Sequence, residues 1–224
     1  MTTLPPTSDR RPIAARRLAF IQNLAAALAR RQVQPNLISI IGLVASLIAA
    51  ALLVLTSQPS HPTRIYFLLA AGLIQLRLLC NVIDGLVAVE GNMKSPTGEL
   101  YNEIPDRLSD IATLIGFGYA ADSFPTLGYI AAIAAVFVAY IRTVGKGCGL
   151  PADFRGPMAK QQRMFLVTVC SIYMAAAPRG WQPLYESRGL PALTLVVIIV
   201  GCVITSLHRG IGIAHGLRSR AGSP

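Results

Sequence analysis

The sequence predicts an all-α membrane protein: six transmembrane helices preceded by an amphipathic helix lying in the membrane interface. Three observations carry that prediction. The 224 residues are 53% hydrophobic and 13% charged, where a soluble domain carries about 25% charged residues. Six apolar runs reach or approach the ~20 residues that a membrane-crossing helix needs. The basic residues between these runs are shared very unequally between alternate connections.

Taken in order, residues 1–11 are polar, with Pro5 and Pro6, and are expected to be disordered. A single membrane domain then fills 12–218. Residues 12–33 are amphipathic: Leu18, Ile21, Leu24 and Leu28 can share a face, and Arg16, Arg17, Arg30 and Arg31 flank it. That pattern suits a helix lying in the interface. Pro35 breaks the chain, and Asn36 can cap the next helix. The predicted spans are 37–56, 64–88, 98–120, 126–145, 163–177 and 190–213. The second turns polar towards its end and the third is polar at its start. No cleavable signal peptide is visible. Cys80, Cys148, Cys170 and Cys202 are scattered without paired spacing and read as packing residues.

Six spans put both termini on one side. That side collects the six arginines before the first span, together with Lys94, Arg142, Lys146, Arg155, Lys160, Arg163, Arg209, Arg218 and Arg220, fifteen basic residues against Arg64, Arg179 and Arg188 on the other. The excess places both termini in the cytoplasm. The net charge of +10 therefore reads as basic loops facing membrane lipids, not as a nucleic-acid surface.

The chemistry concentrates in residues 81–110, which hold Asp84, Glu90, Glu99, Glu103, Asp106 and Asp110, six of the ten carboxylates. Ionisable groups at membrane depth usually mark function. Asn81 and Asp84 are three residues apart on one helix, with Ala88 a turn beyond; Asn102, Asp106 and Asp110 are four apart on the next. These spacings stack side chains on one helical face. The two faces converge across a short loop at the cytoplasmic side. Hard divalent cations take such oxygen ligands, and Mg²⁺ combines one or two carboxylates with substrate phosphate. Gly85 and Gly98 leave room for a bulky ligand.

These residues carry a resemblance. The CDP-alcohol phosphotransferase (CDP-alcohol phosphatidyltransferase) family has the signature D-x2-D-G-x2-A-R-x8-G-x3-D-x3-D. Here Asn81, Asp84, Gly85, Ala88, Val89, Gly98, Asn102 and Asp106 keep its spacing throughout. The chain resembles a divergent member, with Asn at the first and third Asp positions and Val89 in place of Arg. The resemblance implies a transferase of phospholipid biosynthesis. It would move a substituted phosphate from a CDP-linked alcohol, CDP-diacylglycerol foremost, to a small or phosphorylated acceptor alcohol, and release CMP. It implies Mg²⁺ or Mn²⁺, one or two ions, at Asn81, Asp84, Asn102 and Asp106, with Asp110 a further candidate ligand. By the same carry-over Asp106 is the catalytic base, and Asn36, Asp84, Gly85, Ala88 and Gly98 line the CDP moiety. Arg142, Lys160 and Arg163 form a pocket for acceptor or lipid phosphate, the segment G-P-M-A-K-Q-Q-R favouring the last two. A homodimer in a bacterial inner membrane follows from the resemblance, with the alanine-rich fourth span as a candidate interface. The alternative is a catalytically weakened lipid-binding or regulatory protein on the same fold, because two carboxylates now stand where the family has four.

Other polar residues have plainer readings. Arg77, inside the second span, must pair, with Asp106 and Asp110 as candidates. Asp110 could instead pair with Arg107. Trp181 and Tyr185 suit an outer aromatic belt. His61, His208 and His215 lack metal spacing, and Gly210–Gly212 is not a nucleotide loop because no strand precedes it.

Overall fold

A computed structural model describes residues 18–93, 97–186 and 188–221. It is helical almost throughout: α1 Ala19–Arg30, α2 Pro35–Leu55, α3 Thr63–Glu90, α4 Gly98–Gly118, α5 Pro125–Gly147, α6 Lys160–Ala176 and α7 Leu190–Ala221. A two-residue antiparallel pair, β1 (Leu184–Tyr185) with β2 (Arg188–Gly189), precedes α7.

Proline sets two of the starts. Pro35 and Pro125 occupy the first turns of α2 and α5, where the missing amide costs nothing and the fixed φ favours the helix. Asn36 therefore lies inside α2. The position before the helix is Gln34, and no side chain caps it, which corrects the expected Asn36 cap. In α1 the buried stripe is Ile21, Ala25 and Ala29, which packs on Cys80, Ile83 and Val87 of α3. Leu24 and Leu28 of the expected face pack partly buried against the same cluster, while Leu18 precedes the helix and is exposed. Residues 12–17 of the expected interfacial helix lie outside the described residues.

Among the described residues four helices are long and apolar enough to cross a membrane: α2, α3, α5 and α7. The expected count of six is not reached on that criterion. The start of α4 is too polar, and the 17 residues of α6 span only about 25 Å against a hydrocarbon core of about 30 Å. Both pack inside the bundle, α4 against α2 and α5, and α6 against α3 and α7. The core between them is built from Leu53, Phe67, Leu114, Phe117, Val167 and Ile198. The outward faces are apolar too: Val44, Leu47 and Ile48 on α2 and Ile133 and Phe137 on α5 are exposed. Helices apolar on every side suit a lipid surround.

Small residues let the helices approach. A Cβ at Gly116 would lie 2.7 Å from the Ala50 backbone, which ties α4 to α2 at van der Waals contact. The alanines of α5 serve the same end. Ala131, Ala132 and Ala135 are buried within the chain, while Tyr129, Ile130, Ile133 and Tyr140 face outward. The alanine face expected to offer a dimer contact is thus spent on internal packing. Cys80, Cys170 and Cys202 are buried free thiols, as packing residues should be; Cys148 is exposed.

Candidate active site

The polar end of α3 and the polar start of α4 meet at one end of the bundle. Pro105, unremarked in the sequence, sits within α4 and removes the amide that would bond the Tyr101 carbonyl. The two helices are stitched by amides: Asn81 Nδ2 donates to Asn102 Oδ1 at 3.1 Å and to Asp106 Oδ1 at 2.8 Å. The predicted faces therefore do confront each other, Asn81 against Asn102 and Asp106.

Asp106 is 6% exposed and gathers cations. Arg77 Nη2 donates to its Oδ1, and Lys160 Nζ reaches the same oxygen at 2.5 Å. Arg107 stands 3.8 Å from Oδ2. Arg77, whose partner was open between Asp106 and Asp110, thus goes to Asp106, and its Nε is fixed by Ser109 Oγ at 3.0 Å. Among the described residues Oδ2 of Asp106 accepts no hydrogen bond.

Asp84, 5% exposed, lies on the same end but faces α2. Its Oδ2 accepts a 2.6 Å hydrogen bond from Ser39 Oγ, and it has no ion-pair partner among the described residues. Ser39 escaped the sequence reading. It lies 45 residues from Asp84, and the available signal was a serine one turn after Asn36 in an otherwise apolar run. Asn36 itself is half-buried at the start of α2. Gly85 and Ala88 follow Asp84 along α3 and are half-buried. At Gly98 an added Cβ would meet nothing within 4 Å, so the entrance there is open.

Two predicted site residues are elsewhere engaged. Asp110 Oδ2 pairs with Arg163 Nη2 at 2.6 Å, and each residue is 1% exposed. Arg163 also donates to the Met158 carbonyl at 2.9 Å. This sealed pair corrects two expectations. Asp110 does not join Asn81, Asn102 and Asp106, nor does it pair with Arg77 or Arg107, and Arg163 is not presented to an incoming phosphate. The reason is one turn of depth, since Asp110 is buried beyond Asp106 along α4 and is met there by Arg163 reaching from α6. Lys160, three residues earlier on α6, does reach the site. The loop before it is pinned on α7: Met158 N donates to Thr205 Oγ1 at 2.9 Å, and Gly156 turns there at φ +113°, with Thr205 2.5 Å from where a Cβ would sit. Only glycine meets both demands. Arg142, on α5, binds Glu103 at 2.7 Å and stacks over Phe154 at 5.7 Å. Glu103, which also holds Arg107 at 3.3 Å, thus occupies the cation expected to take a phosphate.

A divalent metal would draw on the oxygen donors of this end. Among the described residues no three His, Cys, Asp or Glu side chains converge as a ready cluster. Asp84 has no ion-pair partner among the described residues, and Asn81 and Asn102 bring neutral amide oxygens to the same end of the bundle, donor types that suit a hard cation. Asp106, already facing two cations at hydrogen-bond range, offers less to a second.

Comparison with known proteins agrees with this architecture. The fold is shared with Mycobacterium tuberculosis phosphatidylinositol phosphate synthase (PgsA1). Its structure in complex with manganese and citrate superposes at a TM-score of 0.68, with 19% identity, covering 86% of this chain and 88% of that one. The structure of the same enzyme with CDP-DAG bound gives 0.68 at 18% identity, covering 88% and 94%. In sequence, the inner membrane protein YnbA of Escherichia coli K12 is 26% identical over 153 residues, which is 68% of this chain and 74% of that protein. Residues 32–212 match the CDP-alcohol phosphatidyltransferase family. The chain, a helical protein of the membrane, belongs to the CDP-alcohol phosphatidyltransferase family.

Proposed function

We propose that the chain transfers the substituted phosphate of a CDP-linked lipid, CDP-diacylglycerol, to a polar acceptor alcohol and releases CMP. The observation that carries this reading is the convergence of Asn81, Asn102 and Asp106 across the α3–α4 hairpin, with Asp84 on the same helix as Asn81. PgsA1, which shares the fold, has been seen with CDP-DAG and with manganese.

The residues divide the work. The Asp106 oxygen without a hydrogen-bond donor, Oδ2, is the proton acceptor. It takes the proton of the acceptor hydroxyl as that oxygen bonds to the phosphorus, and the bond from phosphorus to the CMP oxygen breaks. Arg77, Lys160 and Asn81 hold the other oxygen and so fix the carboxylate's orientation. Lys160 also presents positive charge to the transferring phosphate. Asp84, oriented by Ser39, with the amide oxygens of Asn81 and Asn102, would hold Mg²⁺ or Mn²⁺; a bound divalent ion neutralises the diphosphate and stabilises charge on the leaving CMP. Asn36, Gly85, Ala88 and the open position at Gly98 line the path of the cytidine nucleotide, and Arg142 becomes available to an acceptor phosphate if Glu103 is displaced. The basic connections orient this end towards the cytoplasm of a bacterial inner membrane, with both termini on that side, α4 and α6 completing six crossings, and two chains forming a dimer.

Purified protein given CDP-diacylglycerol, Mn²⁺ and a panel of sugar, polyol and phosphorylated alcohols should release CMP and form a lipid of matching mass. The cations around Asp106 favour a second reading, a lipid-binding protein with weakened catalysis. CDP-lipid binding without CMP release for any acceptor would establish that reading and refute the first.

A further inference from the structure

We propose that Arg77 is a built-in cation standing where a second divalent ion would otherwise be needed, so that this site binds one divalent ion per chain. The inference deepens the metal-assisted reading above and rests on it. It starts from the way α3 and α4 touch. Asn81 Nδ2 and Asn102 Oδ1 are 3.1 Å apart. Two carboxylates so placed would repel and would require a cation between them. An amide donor facing an amide acceptor needs none, so the two side chains hydrogen-bond directly.

Asp106 shows the same economy of ions. Its Oδ1 is met by the Arg77 guanidinium, the Lys160 ammonium and the Asn81 amide. A carboxylate whose charge is already answered by two fixed cations gains little from a third.

Arg77 is held as a designed fixture. It is 3% exposed, and Ser109 fixes its Nε. Opposite it α2 carries Gly42, where a Cβ would lie 2.9 Å from Nη1 and 3.0 Å from Cδ; the side chain fits because that residue is glycine. Nη1 is buried without a protein partner. It lies one turn of α2 beyond Ser39, the partner of Asp84, and buried guanidinium donors are rarely left unfilled. Buried against the Asp106 carboxylate, Arg77 would do what a second metal ion does there: bring positive charge, but without exchanging with solvent. Asp84, which has no ion-pair partner among the described residues, keeps the charge that holds the single exchangeable ion.

The test counts ions, not turnover. Mn²⁺ is titrated into the full chain in nanodiscs with CDP present, and free Mn²⁺ is read by electron paramagnetic resonance. The wild type should bind one Mn²⁺ per chain, lost in Asp84→Asn. The triple variant Asn81→Asp/Asn102→Asp/Arg77→Gln, which restores the carboxylates and removes the fixed cation, should bind two. Two ions in the wild type, or one in a folded triple variant, overturns the inference and leaves the transferase reading standing. No ion in the wild type overturns both. The wild-type count decides the matter even if the triple variant fails to fold.

Discussion

Asp106 and Asp110 stand one turn apart on α4, both buried, and both meet cations from other helices. Asp110 meets a single arginine, Arg163, in a pocket closed by α6, with the second oxygen of the carboxylate left without a partner. Asp106 meets Arg77 and Lys160 on one oxygen, while the other, with Arg107 at 3.8 Å, accepts no hydrogen bond among the described residues, beside the amides that bridge to α3. The Asp110 pair is sealed at 1% exposure and serves packing; the Asp106 cluster keeps 6% exposure beside the Asn81–Asn102 bridge, where the proposed substrate would meet it. The lesson is that depth along one helix, not residue type, separates a structural carboxylate from the one proposed to react.

The largest expected effect is at Asp106. Asp106→Asn removes the proton acceptor, so CMP release per folded molecule should fall by about 10²–10⁴-fold, and because Arg77 and Lys160 lose their counter-charge the thermal midpoint should fall as well. Asp110→Asn should lower stability alone. It strands the buried Arg163 cation, a loss of about 3–5 kcal/mol of stability. Thermal unfolding in detergent reads this directly, and Asp110→Asn/Arg163→Met should regain most of it. If Asp110→Asn alone were neutral, the pair would not be the structural lock described.

A smaller loss is expected at Gly116, on the same helix but away from both acids. Gly116→Ala forces a methyl onto the Ala50 backbone, at a cost of about 1–3 kcal/mol, with transfer per folded molecule unchanged. That variant asks whether damage anywhere on α4 mimics the loss at Asp106. Smallest is the exposed pair Asp153–Arg155. Arg155 hydrogen-bonds Asp153 and holds its carboxyl below the usual carboxylate range. A depressed folded value means the pair stabilises at neutral pH and that this is lost as pH falls below the ordinary aspartate value of about 4. Because Arg155 is exposed, Asp153→Asn should cost under about 1 kcal/mol at pH 7, and progressively less as pH falls through the depressed folded value.

Much of the site was legible because helical spacing is local. Asn81 with Asp84, and Asn102 with Asp106, share faces by periodicity alone, and charge placed both faces at one end. What was not legible depended on packing between distant segments. Ser39 reaches Asp84 across 45 residues, and nothing local marks it as a partner. Asp110 finds Arg163 across 53, and nothing local to either residue marks that pairing. Apolar length counted six crossings where α4 and α6 fall short on apolarity or length. The alanines of α5 announced close packing but not with which helix, since a small-residue face fits an internal neighbour as well as a second chain.

The most direct test sets Asp106→Asn beside Asp110→Asn/Arg163→Met and measures CMP released from CDP-diacylglycerol, with the acceptor that wild type accepts, per mole of folded protein. The account predicts that the Asp106 variant is silent and the double variant still turns over. Release by Asp106→Asn at the wild-type rate would contradict it.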